Sequence, residues 1–198
     1  MSKFAINEIF YSLQGEGHFA GTPAVFIRFA GCNISCPFCD TDFSKWAKWS
    51  LSSIREYMEH LPIVPPLVVL TGGEPSLQVT QELCDLLHRF FPTIAMETNG
   101  TRPEKIPAGV DFVTVSPKDD FTDAVCKIKE AGEVKVVFDG IHNPAKWQYI
   151  KAAYYYVQPC DTGDAKKNGE IIRKAIAYIK DNPLWRLSLQ TQKILSIR

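Results

Sequence analysis

Leu67-Val68-Val69-Leu70-Thr71-Gly72-Gly73-Glu74-Pro75 is the stretch from which the rest of the chain can be read. Its four apolar residues are bracketed by Pro65-Pro66 and Thr71-Gly72, so they form a short buried strand that ends in a glycine turn. Residues 80–90 then carry Leu83, Leu86, Leu87 and Phe90 at helical spacing. Strand, turn and helix recur on both sides of this unit. Upstream, residues 4–12 and 24–30 read as strands, and 50–60 as a helix with Ser50 or Ser52 as its cap. Downstream, strands are expected over 93–98, 111–115, 133–139, 154–158 and 185–189. Helices are expected over 122–131 (stopped by Gly132), over 144–152 (opened by a proline) and over 169–180. Residues 160–169 read as a mobile loop. Alternating β and α of this kind implies an α/β fold, a parallel sheet with helices packed outside it. An open sheet and a closed or partly closed barrel both fit.

The unusual polar residues follow strand ends. Gly-Gly-Glu-Pro, Glu97-Thr98-Asn99-Gly100, Ser116-Pro117-Lys118 and Gln158-Pro159-Cys160-Asp161 each come after a strand's C-terminal end. So does Cys32-Asn33-Ile34-Ser35-Cys36-Pro37-Phe38-Cys39. Parallel α/β sheets carry their sites on that edge. Three thiols within eight residues converge on a soft metal centre, zinc or an iron–sulfur cluster. A structural zinc takes four ligands, and the nearest candidate fourth, His18, lies well upstream. A cubic cluster on three cysteines keeps one iron open for a ligand. Reduced core cysteines or an incomplete zinc knuckle remain the plainer alternatives. Cys84 and Cys126 fall among apolar residues on expected helices and read as core.

A chain of 198 residues suits one domain, residues 1–198, that buries about 70% of its unfolded surface. Lys plus Arg and Asp plus Glu balance at 22 each, a zero net charge that points to neither a nucleic-acid nor a membrane partner. Lys3, Asn7 and Glu8 interrupt the opening residues too early for a signal peptide, and no apolar run reaches membrane-spanning length. A cytoplasmic protein is expected, where clustered thiols bind metal or react rather than cross-link.

The cysteine spacing, the Gly-Gly-Glu-Pro one strand later and the ordered rim motifs together resemble the radical S-adenosylmethionine family. Within it, Tyr11-Ser12-Leu13-Gln14-Gly15-Glu16-Gly17, Phe26-Ile27-Arg28-Phe29-Ala30-Gly31-Cys32-Asn33, Cys39-Asp40-Thr41 and Leu189-Gln190-Thr191 resemble its pterin-contracting branch. The resemblance covers nearly the whole chain. For the fold it implies a partial TIM-like (β/α) barrel of about six parallel strands with few outer helices. For the reaction it implies conversion of 6-carboxy-5,6,7,8-tetrahydropterin to 7-carboxy-7-deazaguanine with loss of ammonia. Cys32, Cys36 and Cys39 would hold a [4Fe–4S] cluster, and Thr41 would supply an oxygen to Mg²⁺. Phe38, Asp40, Gly73, Ser116, Pro117, Lys118, Gln158, Pro159, Cys160 and Asp161 would hold S-adenosylmethionine. Leu13, Gln14, Gly15, Arg28, Thr71 and Arg198 would meet the pterin; Glu97 and Asn99 are further candidates for holding S-adenosylmethionine, with a satisfied turn at Asn99-Gly100 as the plainer role.

The same resemblance implies an electron donor such as a flavodoxin; the short chain suggests a trimmed barrel whose uncovered apolar sheet face favours a homodimer. A glycyl-radical-activating enzyme shares the cysteine spacing and is the second enzymatic reading; a non-catalytic metal or iron–sulfur module is the third. This chain departs from the branch at Gln192, where relatives carry histidine, and at Arg198.

Overall fold

The computed structural model describes residues 3–42 and 44–198. Nine strands form one sheet: β1 (Lys3–Leu13), β2 (Pro23–Phe29), β3 (Ala47–Ser50), β4 (Leu67–Gly72), β5 (Thr93–Thr98), β6 (Phe112–Val115), β7 (Glu130–Phe138), β8 (Lys151–Pro159) and β9 (Trp185–Leu187). Their spatial order is β3-β1-β2-β4-β5-β6-β7-β8-β9. From β2 to β9 every neighbouring pair is parallel, which makes seven parallel strands where about six were expected. β1 runs antiparallel to β2, and β3 antiparallel to β1. The end strands β3 and β9 do not pair with each other, so the sheet is an unclosed, partial barrel.

Strand alternation separates the two faces. On β2 and β4, Val25, Ile27, Phe29, Val68 and Leu70 turn outward. There they meet Ile54 and Met58 of α1 (Leu51–Glu59) and Leu83, Cys84 and Leu87 of α2 (Gln81–Leu87). On β7 and β8, Val134, Val136, Tyr155 and Val157 do the same against Ile171 and Ala175 of α3 (Ala165–Asp181). The intervening residues, among them Phe26, Val69, Lys135 and Val137, line the concave face. Ser50 caps α1 through a reciprocal pair with Ser53, and Thr80 caps α2.

Three expectations fail. No helix forms over 122–131: the Cys126 N–H goes to the Asp119 carboxylate and the Lys127 N–H to the Gly100 carbonyl, so these donors leave no helical ladder. Cys126 and Ile128 are buried while Val125 and Lys127 are exposed, the period of an extended chain. Cys126 is core, as read, but not helical. Over 144–152 only a single tight turn, Pro144–Trp147, forms before the Lys151 N–H pairs with the Lys129 carbonyl and β8 begins. The supposed loop over 160–169 is shorter, because Asp164 accepts from the Lys166 and Lys167 N–H groups and starts α3 at Ala165. β3 and the short helix α4 (Thr191–Ile194) were not foreseen.

Candidate active site

One cavity of about 1000 Å³ opens at the C-terminal ends of the strands. It is lined by every site residue expected from the sequence except Pro117, which does not line it. Cys32, Cys36, Phe38, Cys39, Asp40 and Thr41 come from the loop after β2, and Gly73 and Asn99 from the turns after β4 and β5. Ser116 and Lys118 follow β6, and Gln158 to Asp161 close β8. Leu13, Gln14, Gly15, Arg28, Thr71 and Arg198 line the remaining wall.

Each rim residue is placed by the backbone beneath it. Gly73 donates its N–H to Phe29 O, and a Cβ built on it would lie 1.9 Å from Gly31 O, so only glycine lets the β4 turn meet the start of the cysteine loop. The register sets Arg28 beside Thr71. The Arg28 Nε lies 2.9 Å from Glu8 Oε1, and Glu8 Oε2 takes the Arg198 guanidinium at 2.6 Å. Both guanidinium carbons stand over the Phe10 ring. Phe38 meets Phe121 edge-on.

The segment 188–198 closes the mouth. Thr191 donates to Gly15 O, Ser12 Oγ to Arg198 O, and the Ser188 hydroxyl to Gln158 Oε1. Lys193 bridges Asp40 at 2.9 Å and Asp161 at 3.0 Å, tying the cysteine loop to the β8 turn. Hydrogen bonds from Gly163 N–H and Lys193 hold Asp161 down to about 2. Gln192 packs on Gly15 and donates to Glu16 Oε1, while its own Oε1 is buried without a partner.

The floor carries two charged residues, Lys135 and Glu133, that the sequence reading did not place. Lys135 on β7 is buried and bonds Glu16 at 2.7 Å and Glu97 at 2.9 Å. Burial works to raise the Glu16 carboxyl, but the Lys135 charge and bonds from Lys135, Gln192 and Gln190 bring it down to about 2. Burial raises Glu97, and it drives Glu133 up to about 7 with the Glu97 charge added. Lys135 is itself raised, because its three carboxylate neighbours outweigh burial. Burial lowers Lys118 to about 8; its Nζ donates to Ser116 O and Oγ. A period-two signal was available: Glu133 and Lys135 interrupt an otherwise apolar strand on its concave side.

The donor set suits a soft, three-thiolate cluster. Cys32, Cys36 and Cys39 are free and line one wall, although among the described residues no three Cys, His, Asp or Glu side chains close on a common point. Burial raises the Cys32 and Cys36 thiols. His18, the candidate fourth zinc ligand, is instead stacked on Phe112 and Tyr154.

Comparison with known proteins decides the family. The model described as the radical SAM superfamily matches residues 26–143. The 7-carboxy-7-deazaguanine synthase of Bacteroides thetaiotaomicron is 42% identical over 98% of this chain and 98% of its own length. The chain belongs to the 7-carboxy-7-deazaguanine synthase family. Another member, from Haemophilus influenzae, is 37% identical over 98% of this chain and 94% of its own. The crystal structure of QueE from Escherichia coli matches with a TM-score of 0.77 at 26% identity, covering 94% of this chain and 93% of that one. As a radical SAM family member the chain uses a [4Fe–4S] cluster and S-adenosylmethionine.

Proposed function

We propose that this chain converts 6-carboxy-5,6,7,8-tetrahydropterin to 7-carboxy-7-deazaguanine with loss of ammonia, in 7-deazapurine (queuosine) biosynthesis. The observation that carries this reading is one cavity that brings the cysteine loop, the strand-end turns and Arg28 together. The cluster and S-adenosylmethionine, when bound, supply a carbon radical able to abstract hydrogen from a substrate.

The chain's own residues bind and orient. Cys32, Cys36 and Cys39 hold the cluster. Phe38, Asp40, Gly73, Ser116, Lys118, Gln158, Pro159, Cys160 and Asp161 hold S-adenosylmethionine. Arg28 takes the substrate carboxylate as a charge-assisted partner. Leu13, Gln14, Gly15 and Thr71 frame the pterin ring, and Arg198 faces the same wall. Thr41 gives a hydroxyl oxygen to Mg²⁺, a hard cation that keeps several waters. The partners are a flavodoxin-type electron donor and a second copy of the chain, the latter supported by the exposed Ile194 and Leu195. Among the described residues no helix is long and apolar enough to cross a membrane.

The test is anaerobic turnover of 6-carboxytetrahydropterin with S-adenosylmethionine, Mg²⁺ and a reductant, with the product identified by mass spectrometry. Failure to form the deazaguanine on protein with an intact cluster refutes the reading. Thr41→Ala should lose Mg²⁺ stimulation and keep the cluster spectrum; a collapsed spectrum would make Thr41 a loop support instead.

A further inference from the structure

We propose that Glu74, the buried carboxylate of the β4 turn, is a positioning residue whose fixed negative charge lowers the reduction potential of the cluster held by Cys32, Cys36 and Cys39. The proposal rests on the cluster-binding reading of those cysteines.

Glu74 has no exposed surface. It only accepts: Ser76 N–H (3.0 Å) and the Thr98 hydroxyl (2.7 Å) bond Oε1, and the Asn99 N–H (2.7 Å) bonds Oε2. A carboxyl whose hydrogen bonds all come from donors is the ionised form. The Glu74 backbone N–H donates to Gly31 O, one residue before Cys32, and the Gly73 contact presses the same turn against the Cys32 backbone. From its other side Asn99 reaches the cysteine loop, its amide donating to Asn33 Oδ1 at 3.0 Å, while the Asn33 amide donates to Thr101 at 2.8 Å. The carboxylate is therefore locked against the loop by two routes.

In a water-poor interior a fixed anion disfavours any added electron nearby. Reduction of the cluster places an electron there, so Glu74 stabilises the oxidised form and makes the reduced form the stronger donor. A cofactor that must pass an electron to a sulfonium gains from such a charge.

The experiment is an anaerobic potentiometric titration of the reconstituted cluster followed by electron paramagnetic resonance, without S-adenosylmethionine. In Glu74→Gln the midpoint should move positive by about 59 mV, a tenfold change in a one-electron equilibrium. An unchanged midpoint with full iron content overturns the proposal. Should Glu74→Gln fail to fold, Thr98→Val keeps the charge and removes one donor that offsets it, so its midpoint should move negative by a smaller amount. No movement, or movement the other way, also overturns the proposal. Retention of the cluster in Cys32→Ala, Cys36→Ala or Cys39→Ala would instead refute the cluster-binding reading itself.

Discussion

Replacing Lys135 with methionine tests the charged floor of the cavity. Methionine keeps much of the side chain's length and removes the cation that, among the described residues, alone bonds Glu16 and Glu97. Holding Glu16 at about 2 instead of the ordinary 4.5 is worth about 3 kcal/mol at neutral pH. Breaking a buried pair by removing one partner typically costs about 3–5 kcal/mol, so two arguments give the same size. The depressed carboxyl contributes above its unfolded value and loses that contribution as pH falls towards 2. The difference between wild type and Lys135→Met should therefore be full at pH 7 and shrink below about pH 4.5.

Urea unfolding of the cluster-free protein at pH 7 and at pH 3 reads both. For a chain of this size the pH 7 loss corresponds to roughly 6–12 °C in Tm. Lys135→Met/Glu97→Gln should recover part of the loss, because one stranded carboxylate is gone. A variant within about 1 kcal/mol of wild type at pH 7, or one equally damaged at pH 3, would refute the view that Lys135 neutralises this floor.

Glu133, raised to about 7, stabilises the fold fully below its unfolded range near 4.5 and loses that contribution as pH rises to 7. Glu133→Gln should therefore flatten the pH dependence of stability between about 4.5 and 7, by roughly 3 kcal/mol, in chemical denaturation across that window. Gly73→Ala forces a methyl into Gly31 O, so iron content after reconstitution should fall; full occupancy would contradict the close packing. Arg28→Ala should raise KM for the carboxylated pterin about 10–100-fold, the range for a charge-assisted bond, and leave substrate-free S-adenosylmethionine cleavage intact. An unchanged KM would remove Arg28 from the carboxylate.

The parallel sheet was legible because its strands are short apolar runs ended by glycine, proline or asparagine, as at Leu67–Gly72 and Thr93–Thr98. The rim was legible for the same reason, since the polar motifs follow those strands. The helix expected over 122–131 failed because the nearby Asp119 side chain and the Gly100 carbonyl of an earlier turn capture its backbone donors. Local periodicity carries no information about such acceptors. β3 lies at the sheet edge, and its half-polar residues are set by pairing with β1. The Glu16–Lys135–Glu97 floor joins residues from three separate elements. Glu16 and Glu97 each lie in a motif legible in the sequence, but the cation between them is betrayed only by the concave side of β7. Gln192 fills the place beside Gly15 and Glu16 through an amide bond, with no titrating group to offer.

The segment that closes the mouth has a consequence for how the protein is made. Cys32, Cys36 and Cys39 are translated roughly 150 residues before Gln190 to Arg198. At about 5–20 residues per second, the nascent thiols wait roughly 8–30 s before Lys193 can join Asp40 to Asp161 and Thr191 can seal against Gly15. The thiols are thus available to iron and sulfide before the segment that closes the pocket has been made. Truncation before Gln190 should leave a protein that can still be loaded through an open rim, while its grip on small molecules is lost.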